Sequence, residues 1–164
     1  MKQICSDVLS KIDDLQTRYI AVIDAKDMEG WLSTFCQVAE ASYVYTTAEN
    51  LRANHAMALV MDDNYQRLQD RVTIVNKVWP GTYADYATRH FVQRTACRDM
   101  GAGKYEVESN FMVMTTPEET GRSTLFATGV YFDQVVVDKD QALFLSKKVV
   151  TDSSVVERFM AYPL

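Results

Sequence analysis

Val8, Ile12, Leu15, Tyr19, Val22 and Ile23 recur at steps of three and four, which gathers them on one face of a helix from about Ser6 to Lys26. Ser6 stands where a side-chain oxygen can cap the first turn. Asp27-Met28-Glu29-Gly30 interrupts the pattern, and Trp31, Leu32 and Phe35 predict a short second helix folded back on the first. The segment 41–47, rich in β-branched and aromatic residues, reads as a strand ending near Glu49-Asn50. Tyr65, Leu68, Val72, Val75 and Trp79 then return to helical spacing, with Asp62 or Asp63 as cap and Pro80-Gly81 as the stop.

Beyond Pro80 the period drops from about 3.6 to 2. Residues 88–98, 104–116, 123–137 and 142–152 read as strands, and their short connectors join only antiparallel neighbours. Helices first and a run of long strands after is the α+β pattern, one curved antiparallel sheet with helices on one face. In 123–137 both faces carry apolar groups: Leu125, Ala127 and Tyr131 on one, Phe126, Val130 and Phe132 on the other. The face not used by the helices is expected to meet the concave wall of the fold or another chain.

At 164 residues the chain is expected to be a single domain spanning 1–164, with a core large enough to need no metal or disulfide. Cys5, Cys36 and Cys97 are odd in number and widely spaced, so reduced thiols and a cytoplasmic location are expected. The formal charge of -5 argues against a nucleic-acid partner, and no apolar run is long enough to span a membrane.

The histidines are His55 and His90 alone, and no cysteine lies within three residues of either. That excludes the paired C-x-H and C-x-x-H ligands of a Rieske cluster, and the His55–His90 spacing matches no pattern for a two-histidine, one-carboxylate iron site. Nucleotide-binding glycine loops and the G-x-S-x-G elbow are absent. Arg89-His90, with Tyr43, Tyr45 and Asp85, is the one constellation able to offer acid–base chemistry; a structural histidine is the preferred reading. No catalytic, cofactor-binding or metal-binding residue is therefore expected in this chain.

Asp70-Arg71-Val72, Tyr86 with Arg89-His90, Ser109-Asn110-Phe111, the run Leu125 to Asp133, and Val149-Val150-Thr151-Asp152-Ser153-Ser154 through Tyr162-Pro163-Leu164 occur in an order that resembles the β subunits of aromatic-ring-hydroxylating dioxygenases. The resemblance implies a cone-like fold of the nuclear transport factor 2 and scytalone dehydratase type. It implies a large α subunit carrying a [2Fe-2S] Rieske cluster and mononuclear Fe(II), assembled with this chain as a trimer of heterodimers and fed electrons from NAD(P)H through a reductase and ferredoxin. The overall flavour resembles that of the branch acting on ring carboxylates such as salicylate or anthranilate. One departure is Lys147-Lys148, where the family has an Arg, which puts a bidentate contact to the partner in doubt. The chain itself is then a non-catalytic assembly subunit, with Arg71, Arg89, Tyr131, Phe132, Phe159 and Tyr162 as interface candidates on the sheet and the C-terminal segment. The alternatives are a stand-alone dehydratase or isomerase, or a small-molecule binding module, on the same scaffold.

Overall fold

The computed structural model describes residues 4–155 and 161–164. Helix α1 (Ser6–Asp24) buries Ile12, Leu15, Tyr19 and Ile23, the stripe expected from the sequence. Ser6 is its first helical residue, and Cys5 takes the cap position without a side-chain hydrogen bond. The helix closes through Lys26, whose φ of 61° is the left-handed conformation that lets the Lys26 and Asp27 N–H groups reach back to the carbonyls of Ile23 and Val22. Helix α2 (Met28–Leu32) follows at once, capped by the Asp27 carboxylate.

Strand β1 (Ser42–Thr47) leads into two elements that the sequence reading left as connection: helix α3 (Ala48–Arg52) and strand β2 (Val60–Asp62), which pairs antiparallel with β1. Helix α4 (Tyr65–Thr73) is capped by Asn64 rather than by Asp62 or Asp63, whose neighbouring carboxylates serve Arg71 and Arg67. Its last turn widens into a π-helix over Ile74–Val78.

Four long strands complete the chain: β3 (Tyr86–Gly101), β4 (Lys104–Pro117), β5 (Thr124–Val137) and β6 (Ala142–Thr151). Ala102 and Gly103, both at positive φ, make the two-residue turn that matches the right-handed twist of β3 and β4. The order in the sheet is β2-β1-β6-β5-β4-β3, antiparallel throughout except that β1 and β6 run parallel, with Val44 opposite Lys148. The curved sheet carries α1 on its inner face, where Tyr19, Trp31, Phe35, Tyr43, Tyr131 and Phe144 meet in the core. Gly129 permits this curvature: a Cβ there would lie 2.1 Å from the Val150 carbonyl oxygen.

Candidate functional site

The histidine singled out by sequence is the second half of a pair whose first half was not. His90 points inward from β3, and its Nδ1 lies 2.7 Å from Asp24 Oδ1 at the end of α1. The other Asp24 oxygen accepts the His90 backbone N–H, and Thr88 donates to Asp24 as well. Burial pushes the Asp24 carboxyl up, but these donors together outweigh it and leave it below the usual carboxylate value. Asp85 and Tyr45 take no part in this arrangement among the described contacts. With the ring 1% exposed, the pair ties α1 to β3 in the manner of a structural histidine.

Beside it an open cleft of about 450 Å³ is walled by Asp24, Lys26, Tyr83, Tyr86, Glu118 and Tyr162, among others. The Lys26 ammonium donates to Thr88 Oγ1 and lies 4.6 Å from the ring centres of both Tyr86 and Tyr162. Burial lowers its pKa from 10.5 to about 8, against the pull of Asp24 and with the help of Arg89. Between pH 8 and 10.5 the unfolded chain therefore binds the proton that the folded chain has lost, so stability from this residue rises with pH across that window. Urea unfolding at pH 7.5 and pH 10 should show a smaller rise in Lys26→Met than in the parent; parallel pH profiles would contradict the assignment.

Deeper in the core, Lys147 and Asp133 form an ion pair at 2.9 Å with both side chains fully buried. Gln16 donates to the same Asp133 oxygen, and the Lys147 ammonium stands over Tyr19, Tyr131 and Phe144 at 4.4, 3.8 and 4.3 Å from their ring centres. Burial drives the Asp133 carboxyl up and the Lys147 ammonium down, each against the attraction of the other. Lys147 is thus an interior residue, and the adjacent Lys pair does not form one basic surface patch. Strand alternation puts Lys148 alone on the outer side, level with Phe132.

The outer side of the sheet carries the apolar surface. Phe91 pairs with Met112, and Glu108 with Phe132; Arg89, Met114 and Leu125 form a further row. Phe91, Met112, Leu125 and Phe132 are all substantially exposed. Leu125 stands here, and not on the inner face with Tyr131, because a bulge opposite Val113 and Met114 absorbs Phe126 and flips the alternation.

The sequence-predicted interface residues are therefore divided. Phe132 and Arg89 lie on the outer face. Tyr131 is fully buried, stacked on Phe111 at 4.3 Å, which corrects its assignment as a surface anchor. Arg71 is engaged within the chain by Asp62, through both its Nε and a second guanidinium nitrogen. Tyr162 is half-buried at the cleft wall against Tyr83 and Tyr86, Phe159 lies outside the described residues, and Ala161 and Leu164 are buried in the core. Phe91 and Met112 were missed, although strand alternation places them on the outer face. Asp24 had no signal, being 66 residues from His90.

Among the described residues no group of three or more His, Cys, Asp or Glu is placed to hold a metal ion, and no helix is long and apolar enough to cross a membrane. Residues 18–158 match the family described as ring hydroxylating beta subunit. The chain is 29% identical over 150 residues to the anthranilate 1,2-dioxygenase small subunit of Burkholderia cepacia, covering 92% of this chain and 90% of that one. Among solved structures it resembles a protein of Novosphingobium aromaticivorans described as the β subunit of an aromatic-ring-hydroxylating dioxygenase, with a TM-score of 0.81, 22% identity and 94% and 95% of the two chains covered. A protein of the same organism described as a scytalone dehydratase shares the fold, with a TM-score of 0.68, 15% identity and 96% and 95% coverage.

Proposed function

The chain belongs to the family of ring-hydroxylating β subunits, the small subunits of aromatic-ring-hydroxylating dioxygenases, and from that premise we propose that it acts by contact, docking a large oxygenase subunit through the outer face of β3, β4, β5 and β6. Association with a large oxygenase subunit comes with the family. The observation that carries the docking face is its composition: Phe91, Met112, Leu125 and Phe132 exposed together on one side of a sheet whose other side already packs on α1. Four strands of 10–16 residues, about 3.3 Å per residue and 4.8 Å apart, present on the order of 900 Å². A standard interface buries roughly 800 Å² per partner.

In this reading the [2Fe-2S] cluster and mononuclear Fe(II) reside in the large subunit, which receives electrons from a reductase and ferredoxin, and three heterodimers form the complex in the cytoplasm. His90, with its ring sealed and its Nδ1 bound to Asp24, holds the fold together and takes no part in the chemistry. The substrate class is an aromatic carboxylate of the anthranilate or salicylate kind, supported by the name of the 29% identical relative, and the large subunit's pocket selects it.

Iron analysis tests the division of labour. A tagged chain expressed with its large subunit should retain that subunit and its iron, while the same chain purified alone should be folded and iron-free. Stoichiometric iron in the isolated chain would overturn the reading.

A further inference from the structure

The segment 161–164 enters the fold as a ligand enters a pocket. Tyr162 forms part of the cleft wall, its hydroxyl 3.1 Å from that of Tyr83, and two residues on Leu164 is buried in the core. There the contacts to Leu164 are polar as well as apolar. The Tyr19 hydroxyl donates to the Leu164 main-chain oxygen at 2.6 Å, and the Leu164 N–H donates to the Tyr43 hydroxyl at 2.9 Å. Tyr19 comes from α1 and Tyr43 from β1, so the donor and acceptor are held by separate elements. Trp31 packs edge-on against Tyr43, and Tyr131 edge-on against Tyr19.

Among the buried polar groups of this interior without a hydrogen-bond partner among the described residues are Trp31 Nε1, the Tyr131 hydroxyl and His90 Nε2. Burial raises the pKa values of Tyr19, Tyr43 and Tyr131, and for Tyr19 and Tyr131 the nearness of Tyr43 raises them further, so these hydroxyls converge as neutral hydrogen-bonding groups. Such an interior has the composition of a small-molecule site: mostly aromatic walls with a few aimed polar groups.

We propose that residues 161–164 are an internal ligand seated in a binding pocket formed by Tyr19, Tyr43 and Trp31, and that the vacated pocket binds small molecules with an apolar body, an acylated N–H donor and, one carbon further on, a carbonyl oxygen acceptor, as in an N-acyl amino acid derivative. Tyr19 donates to the acceptor and Tyr43 receives the N–H, as each does with Leu164. Covalent attachment holds the segment at an effective concentration on the order of millimolar, so it fills the pocket at rest. The inference goes beyond subunit docking and stands whether or not the outer sheet face is the docking surface.

The test uses the full chain with a protease site inserted between Ser154 and Val155, both exposed. After folding and cleavage, a fluorescent peptide of residues 155–164 should exchange with the cleaved segment saturably. N-Acetylleucinamide at millimolar concentration should displace it. Its O-acetyl ester analogue, which has an ester oxygen in place of that N–H, should be weaker by roughly tenfold, the worth of one hydrogen bond. The full chain carrying Tyr43→Phe with the same inserted site should lose that discrimination. Where the inserted site resists cleavage, refolding residues 1–154 with the peptide gives the same readout. Collapse of the body on loss of the segment, without rescue by the peptide, would overturn the proposal, as would equal displacement by amide and ester.

Discussion

Replacing Lys147 by methionine should cost about 3–5 kcal/mol, the largest effect expected of a single substitution in this core. Methionine is similar in length and apolar, so the loss is not mainly a matter of volume. What changes is Asp133, which is left fully buried with Gln16 as its remaining side-chain donor and with one oxygen already lacking a partner among the described residues. The three rings around the ammonium also lose a cation held 3.8–4.4 Å from their centres. Urea unfolding should show the midpoint falling with the slope unchanged.

The double substitution Lys147→Met with Asp133→Leu removes both charges and should recover most of the loss, because the pair's own net contribution is small once desolvation is counted. The pH dependence of the single variant follows from Asp133. Its carboxyl, already raised by burial, rises further without the lysine, so the folded state holds a proton that the unfolded state releases. The defect should therefore shrink as pH falls toward the ordinary carboxylate value and grow as pH rises through the folded one. A single-variant loss under 1 kcal/mol would contradict the role assigned to the pair.

The same pair shows where sequence reading reaches its limit. The helix α1 stripe and the four long strands were legible because a hydrophobic period is a local property, and the observed strands begin or end within about three residues of their expected limits. The parallel pairing of β1 with β6 was not, since it joins residues about a hundred positions apart and leaves no local mark. Helix α3 and strand β2 are five and three residues long, too short for a period to declare itself. The bulge at Phe126 inverted the face assigned to Leu125, because one inserted residue exchanges the two sides of a strand.

The chemistry followed the same division. His90 was read as structural from a poor inventory of ligands, and its partner Asp24, 66 residues away along the chain, left no mark in the sequence. Tyr131 was taken for an interface anchor because aromatic residues serve both cores and interfaces, and only the packing on Phe111 and Lys147 separates the two uses. Phe132, its immediate neighbour, points the opposite way and remains a candidate.

Substituting glutamate for Phe132 should weaken association with the large subunit by at least about a hundredfold. Phe132 lies on β5 between Glu108 of β4 and Lys148 of β6, so it is a central projection of the outer face and not a rim residue. Truncating a central aromatic anchor commonly costs 2 kcal/mol or more, and placing a carboxylate there adds the cost of burying an unpaired charge. Phe91→Asp, on β3 beside Met112, should act in the same direction. Both side chains are 40–55% exposed in the free chain, so neither substitution disturbs the packed inner face, and both variants should unfold at nearly the parent's urea concentration. Ser10→Glu, on the exposed side of α1, supplies the control for added charge alone. The decisive measurement is the dissociation constant between the purified large subunit and each of these folded chains at fixed salt. A constant raised a hundredfold by Phe132→Glu and left unchanged by Ser10→Glu is the result predicted; equal affinity for the parent and the Phe132→Glu chain would contradict docking through the outer face.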